Sequence, residues 1–159
     1  MATIRKSVIP VASAEVLTSE EDWLEIAPLA QVEVTSEHPD HPIEAALGAG
    51  SASGWRAGAS GAQTVRLRFD KPQEIRRIRL RFVETQHARR QEFVLRSSTD
   101  GRTSRDIVRQ QWNFSPDGST SEVEDYAVNL SGVAVLELCI IPEVSGGDIR
   151  ASLAELRVG

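Results

Sequence analysis

Two neighbouring stretches decide the fold: Thr64-Val65-Arg66-Leu67-Arg68-Phe69 and Ile75-Arg76-Arg77-Ile78-Arg79-Leu80-Arg81-Phe82-Val83. In the first, Val65, Leu67 and Phe69 alternate with arginine; in the second, Ile78, Leu80 and Phe82 do the same. Successive side chains on a strand point to opposite faces, so this period of two places the aliphatics on one side and the guanidinium groups on the other. Each strand therefore has one dry face and one wet face. That is the pattern of antiparallel sheets half-buried in a sandwich, because parallel strands covered on both faces read as continuous apolar runs.

Outward from these two, further strands are predicted over 31–36, 91–97, 106–114, 122–130, 133–141 and 153–158, eight in all. Turn residues separate them, including Asp100-Gly101, Pro116-Asp117-Gly118 and Gly146-Gly147, and the second of these is expected to close a long hairpin. Residues 7–16 read as a weak extended start. Residues 18–26 read as one short helix, with Thr18 and Ser19 as caps, acids in the first turn and Pro28 beyond its end. Residues 45–62 read as a long Gly/Ala/Ser-rich loop interrupted by Trp55 and Arg56. The predicted architecture is all-β: an eight-stranded antiparallel jelly-roll sandwich over 31–159, with an extension over 1–30 whose helix packs on it.

Composition limits the function. With 159 residues the chain fits a single domain, and 40% hydrophobic with 26% charged residues is ordinary for a globular protein. A net charge of −5 repels a phosphate backbone, which argues against general nucleic-acid binding. The single cysteine, Cys139, excludes an intrachain disulfide and a cysteine-based zinc site, and its apolar surroundings predict a buried, inert thiol. The start carries Arg5 and Lys6 but only a short, Pro-interrupted apolar stretch, and no run approaches the roughly 18 apolar residues of a membrane span. The expectation is a cytoplasmic protein without membrane contact. No nucleophile elbow, phosphate loop, dinucleotide fingerprint or zinc-protease motif is present, so no enzyme is expected.

The order of motifs carries a resemblance. EVTSEHP-HPIEAAL, the pair Gly54-Trp55, QTVRLRF, PQEIRRIRLRF, QEFVLRSSTDG, VAVLELCI and the closing SLAELRV together resemble the discoidin, or coagulation-factor type C, domain of the galactose-binding-like superfamily, over residues 31–158. The resemblance implies an antiparallel jelly roll whose loops at one end hold a ligand: a sugar, a lipid head group or a protein partner. It also implies a structural calcium ion. Here, however, the loop Leu47-Gly48-Ala49-Gly50-Ser51-Ala52-Ser53-Gly54 has no carboxylate, and Glu155 in the closing strand is the one acidic candidate left for calcium.

Candidate ligand-binding residues follow. His38 and His41 lie in a Pro-containing loop with no helix to align them as metal ligands, and His38 is the candidate for a polar ligand contact. Trp55 either packs beneath the sandwich end, as the resemblance implies, or stacks on a ligand. Arg56 offers five planar donors suited to vicinal hydroxyls or a carboxylate. The loop Glu84-Thr85-Gln86-His87-Ala88-Arg89-Arg90 contributes His87, Arg89 and Arg90. Trp112 is either core or an aromatic platform. The arginine stripe Arg66, Arg68, Arg77, Arg79 and Arg81 either interleaves with acids such as Glu92, Glu122, Glu124 or Glu137, or forms an electropositive face. Two functions stay open: a carbohydrate or small-polar-ligand module needing no cofactor, or a protein-interaction module or accessory subunit of undetermined oligomeric state.

Overall fold

In a computed structural model of the protein, residues 23–48 and 54–159 are described. They form β1 (Ala30–Val34), a single helical turn α1 (Glu44–Leu47), β2 (Trp55–Ser60), β3 (Gln63–Val83), β4 (Arg89–Ser98), β5 (Arg105–Phe114), β6 (Ser121–Ile141), β7 (Arg150–Leu153) and β8 (Glu155–Val158). The strands pair antiparallel in the order β1-β3-β6-β4-β5, β8 adds to β3, and β2 pairs with β7 as a separate ribbon.

Eight strands stand where eight were predicted, with different members. The stretches 64–69 and 75–83 are one strand, β3, and 122–130 and 133–141 are one strand, β6. Their shared ladder shifts register between Arg68 and Arg77, where Pro72 withholds a backbone donor, and Gly132 on β6 takes φ +65, a conformation open to glycine. These residues bend two long strands without reversing them. Each strand thus serves both layers of the sandwich: the first halves of β3 and the second half of β6 sit with β1, β4 and β5, and the other halves sit with β8. In the predicted 153–158 strand, Ala154 separates β7 from β8. The Pro116-Asp117-Gly118 turn joins β5, which pairs with β4, to β6, whose first half pairs with β3, so it does not close a hairpin ladder.

The alternation reads correctly onto burial. Val65, Leu67, Ile78, Leu80, Phe82, Leu136, Leu138 and Ile140 are buried, and Phe82 meets Phe93 across the layers at 5.1 Å between ring centroids. Burying each such side chain contributes roughly 1.5–3 kcal/mol. Cys139 departs from its expected burial: the parity that turns Leu138 and Ile140 inward leaves the free thiol half-buried on the outer face.

The first five residues of the predicted 18–26 helix, and the 7–16 stretch, lie outside the described residues. The described remainder, from Trp23, forms a bend and turns rather than a helix. It is fixed by the Leu24 amide donating to the Val158 carbonyl at 2.7 Å and by burial of Trp23 and Ile26. Among the described residues, no helix is long and apolar enough to cross a membrane.

Candidate functional site

The loops that follow β1, that precede β4 and that follow β6 gather at one end of the sandwich, and the β2–β7 ribbon stitches them together. The His38 amide donates to the Arg56 carbonyl at 2.8 Å, and the Arg56 amide donates to the His41 carbonyl at 3.1 Å. A hairpin-like bridge pairs His38 with His41, whose ring centroids are 5.4 Å apart. Beneath them Trp55 is 1% exposed, and its indole N–H donates to the Ser36 carbonyl at 3.1 Å. Trp55 therefore holds the loop from below and presents no ring face to a ligand. Gly54 closes the approach: at φ +64, a Cβ there would lie 2.6 Å from the Leu153 carbonyl oxygen.

Arg56 pairs with Ser152 across the ribbon, so their side chains share a face. The same serine receives Arg89, whose Nη2 approaches its Oγ at 3.5 Å while Nη1 donates to the Arg150 carbonyl at 3.1 Å. Arg89 is buried, unlike the loop residue the sequence suggested. β4 begins at Arg89, and the parity of Gln91, Phe93 and Leu95 turns it inward against the Phe114 ring at 5.3 Å. Its Nε lies 3.5 Å from Glu84 Oε1 in an ion pair hidden from solvent. Burial lowers its pKa first, Glu84 opposes that shift, and the neighbouring Arg56 charge adds to it.

The remaining candidates divide. Arg90 is exposed beside Glu143, whose carboxyl is held below its ordinary range by the Arg90 amide and the Ser145 hydroxyl. His87 is exposed in the loop between Glu84 and Arg89. Trp112 stands apart on β5 opposite Gln91, half-buried, with its indole nitrogen enclosed and without a hydrogen-bond partner. The end thus joins His38 to Arg56 through the backbone and Arg56 to Arg89 through Ser152, with Trp55 beneath; Arg90 turns to Glu143, His87 is placed only by its loop, and Trp112 stands on another strand. His41, Ser152 and Glu84 were not singled out as contacts; Ser152 and Glu84 join through strand pairing and a buried ion pair, which no local motif announces.

Glu155, the acidic candidate for calcium, has its carboxylate 3.5 Å from Arg79 Nε, and among the described residues no group of three or more His, Cys, Asp or Glu side chains is placed to hold a metal ion.

No protein-family model and no curated protein sequence matches the chain. Solved structures do. A pectin-binding carbohydrate-binding module aligns at TM-score 0.60 with 18% identity, over 82% of this chain and 90% of that one. The fold is the antiparallel β-sandwich of such carbohydrate-binding modules. A family 32 carbohydrate-binding module from C. perfringens NanJ, in complex with galactose, aligns at TM-score 0.60 with 16% identity over 81% and 92% of the two chains. The family 32 module of AlyQ, in complex with 4,5-unsaturated mannuronic acid, aligns at TM-score 0.62 with 13% identity over 86% and 97%.

Proposed function

We propose that this protein is a non-catalytic carbohydrate-binding module that takes a saccharide at the loop end, between His38, Arg56 and the loop over 85–88. Arg56 carries the reading. Its backbone is clamped on both sides by the two histidines, yet its side chain is exposed, and no ion pair or hydrogen bond among the described residues engages its guanidinium. A rigidly placed fork of donors left open to solvent suits the adjacent hydroxyls of a sugar. The solved neighbours named for pectin, galactose and an unsaturated uronic acid support this ligand class.

Glycoside hydrolysis uses two carboxyl groups free to act on one bond. Two of the loop-end acids, Glu84 and Glu143, are each in an ion pair, with Arg89 and Arg90, which favours binding over chemistry at those two carboxyls. Among the described residues the large exposed hydrophobics are Val83, Val123 and Val144, and none of the solved neighbours above is named for a protein partner, so that function stands second. No cofactor enters this reading.

Calorimetric titration with galactose, galacturonate and mannuronate oligosaccharides tests it. Saturable binding that falls roughly tenfold in Arg56→Gln, the order of one charge-assisted hydrogen-bonded pair, is the expected result. Absence of heat with every saccharide at tens of millimolar overturns it.

A further inference from the structure

A polar depression lies away from the loop end, on the outer face of the layer formed by β1, β3, β6, β4 and β5. It encloses about 180 Å³, and its walls include Arg66, Arg68, Arg96 and Arg102 against a single carboxylate, Glu137. Strand register builds it: Arg66 and Arg96 both stand opposite Glu137, from β3 and β4 on either side of β6.

A count of donors shows what the depression lacks. Arg66 is fully used, by Glu137 at 2.8 Å and Glu33 at 3.4 Å. Arg68 spends Nε on Glu33 at 2.6 Å, and Arg96 spends Nε on Asp106 at 2.8 Å with Nη1 3.7 Å from Glu137. The outer nitrogens of Arg68 and the Nη2 of Arg96 are left over. Among the described residues nothing engages the guanidinium of Arg102 or the hydroxyls of Ser97 and Ser104 in the same wall. Glu137 is already shared by two arginines. Donors therefore exceed acceptors inside a concave surface.

The loop that brings Arg102 into place is built rather than loose. Asp100 Oδ1 accepts from the amides of Thr103 at 2.8 Å and Arg102 at 2.7 Å and from the Ser98 hydroxyl at 2.9 Å. These bonds, led by the Thr103 amide, hold the Asp100 carboxyl down at about 2, so the brace persists across the physiological range.

We propose that this depression binds a tetrahedral oxyanion, a sulfate or phosphate group, through Arg102, Arg96, Arg68 and the Ser97 and Ser104 hydroxyls. The group has four acceptor oxygens to meet the surplus donors and needs no carboxylate displaced from the existing ladder. The site is separate from the loop end and does not depend on saccharide binding there.

The test is a two-dimensional amide NMR titration of the full chain with inorganic sulfate, inorganic phosphate, galactose 6-sulfate and galactose, at constant ionic strength. Saturable shifts centred on residues 96–104 with the three anions and not with galactose are expected. Arg102→Gln should weaken them roughly tenfold, and Arg56→Gln should leave them unchanged. Equal affinity for inorganic sulfate and the ester assigns the site to a free anion; tighter binding of the ester assigns it to a sulfated glycan. Shifts that never saturate, that spread evenly over all exposed arginines, or that survive Arg102→Gln overturn the proposal. Arg102→Lys separates recognition from charge: it keeps the charge without the planar fork and should restore only part of the affinity.

Discussion

On the outer sheet face, Arg66, Arg68, Arg96 and Arg109 each reach a carboxylate, while at the loop end Arg56 reaches none among the described residues, Arg89 reaches Glu84 from a fully enclosed position, and the exposed Arg90 pairs with Glu143. The residue type is the same; what differs is what strand register sets opposite it. Arg66 stands across from Glu33 on one side and Glu137 on the other, whereas Arg56 stands across from Ser152. A ladder whose partners are half-exposed contributes little stability and mainly disposes of like-charge repulsion. An arginine left without a carboxylate keeps its donors for something outside the chain.

The largest expected effect breaks the enclosed pair. Arg89→Met leaves Glu84 buried without its cation and should cost about 3–5 kcal/mol in urea unfolding. Arg89→Lys should rescue this poorly, because a point charge cannot serve Glu84, the Arg150 carbonyl and Ser152 together. A loss below about 1 kcal/mol would place Arg89 with the exposed ladder after all.

Glu122 is the converse case, a carboxyl 2% exposed with no hydrogen-bond partner on either oxygen. Burial, with a smaller push from Glu124, raises its pKa from 4.5 to about 7. The folded state thus holds a proton between these values that the unfolded state has released. The stability this proton confers is complete below pH 4.5 and lost as pH rises through 7, a total of roughly 3 kcal/mol. Glu122→Gln should flatten stability across that window and make the variant the more stable protein at pH 8. An unchanged slope would show that another group governs it.

Smaller effects test the two arginine environments directly. Arg56→Gln should leave the unfolding midpoint within about 0.5 kcal/mol of the parent while weakening saccharide binding. Arg68→Gln should cost less than about 1 kcal/mol, a loss that fades in high salt, and leave saccharide binding intact. If Arg56→Gln destabilises the protein more than Arg68→Gln does, the contrast between the two surfaces fails.

Much of this was legible in local sequence and the rest had physical reasons for hiding. Alternation identified the core face of β3, but not that β3 and β6 are each continuous, because Pro72 and Gly132 read alike whether the chain bends or reverses. β2 was missed: Trp55-Arg56-Ala57-Gly58-Ala59-Ser60 lacks the large alternating aliphatics that mark a strand, although Trp55 and Ala57 do face inward. Among the acids suggested for the arginine stripe, Glu137 takes that place beside Arg66 and Glu92 pairs instead with Arg109 outside the stripe, while Glu122 and Glu124 share the inward face with Phe82 and Leu80, opposite which they pair. The buried setting of Arg89 was within reach of the parity of Gln91, Phe93 and Leu95, had the strand been started two residues earlier.

By itself the sequence determined which side chains turn inward within a strand, because that depends on a two-residue period carried by the backbone alone. It also determined the antiparallel sandwich that such half-wet strands must form. Only the tertiary structure decided which charge faces which: Glu137 lies 71 residues from Arg66, and Ser152 lies 63 from Arg89. Such pairings arise from register between distant strands, which no local window of sequence contains, and they separate the arginines that are satisfied from those left to bind.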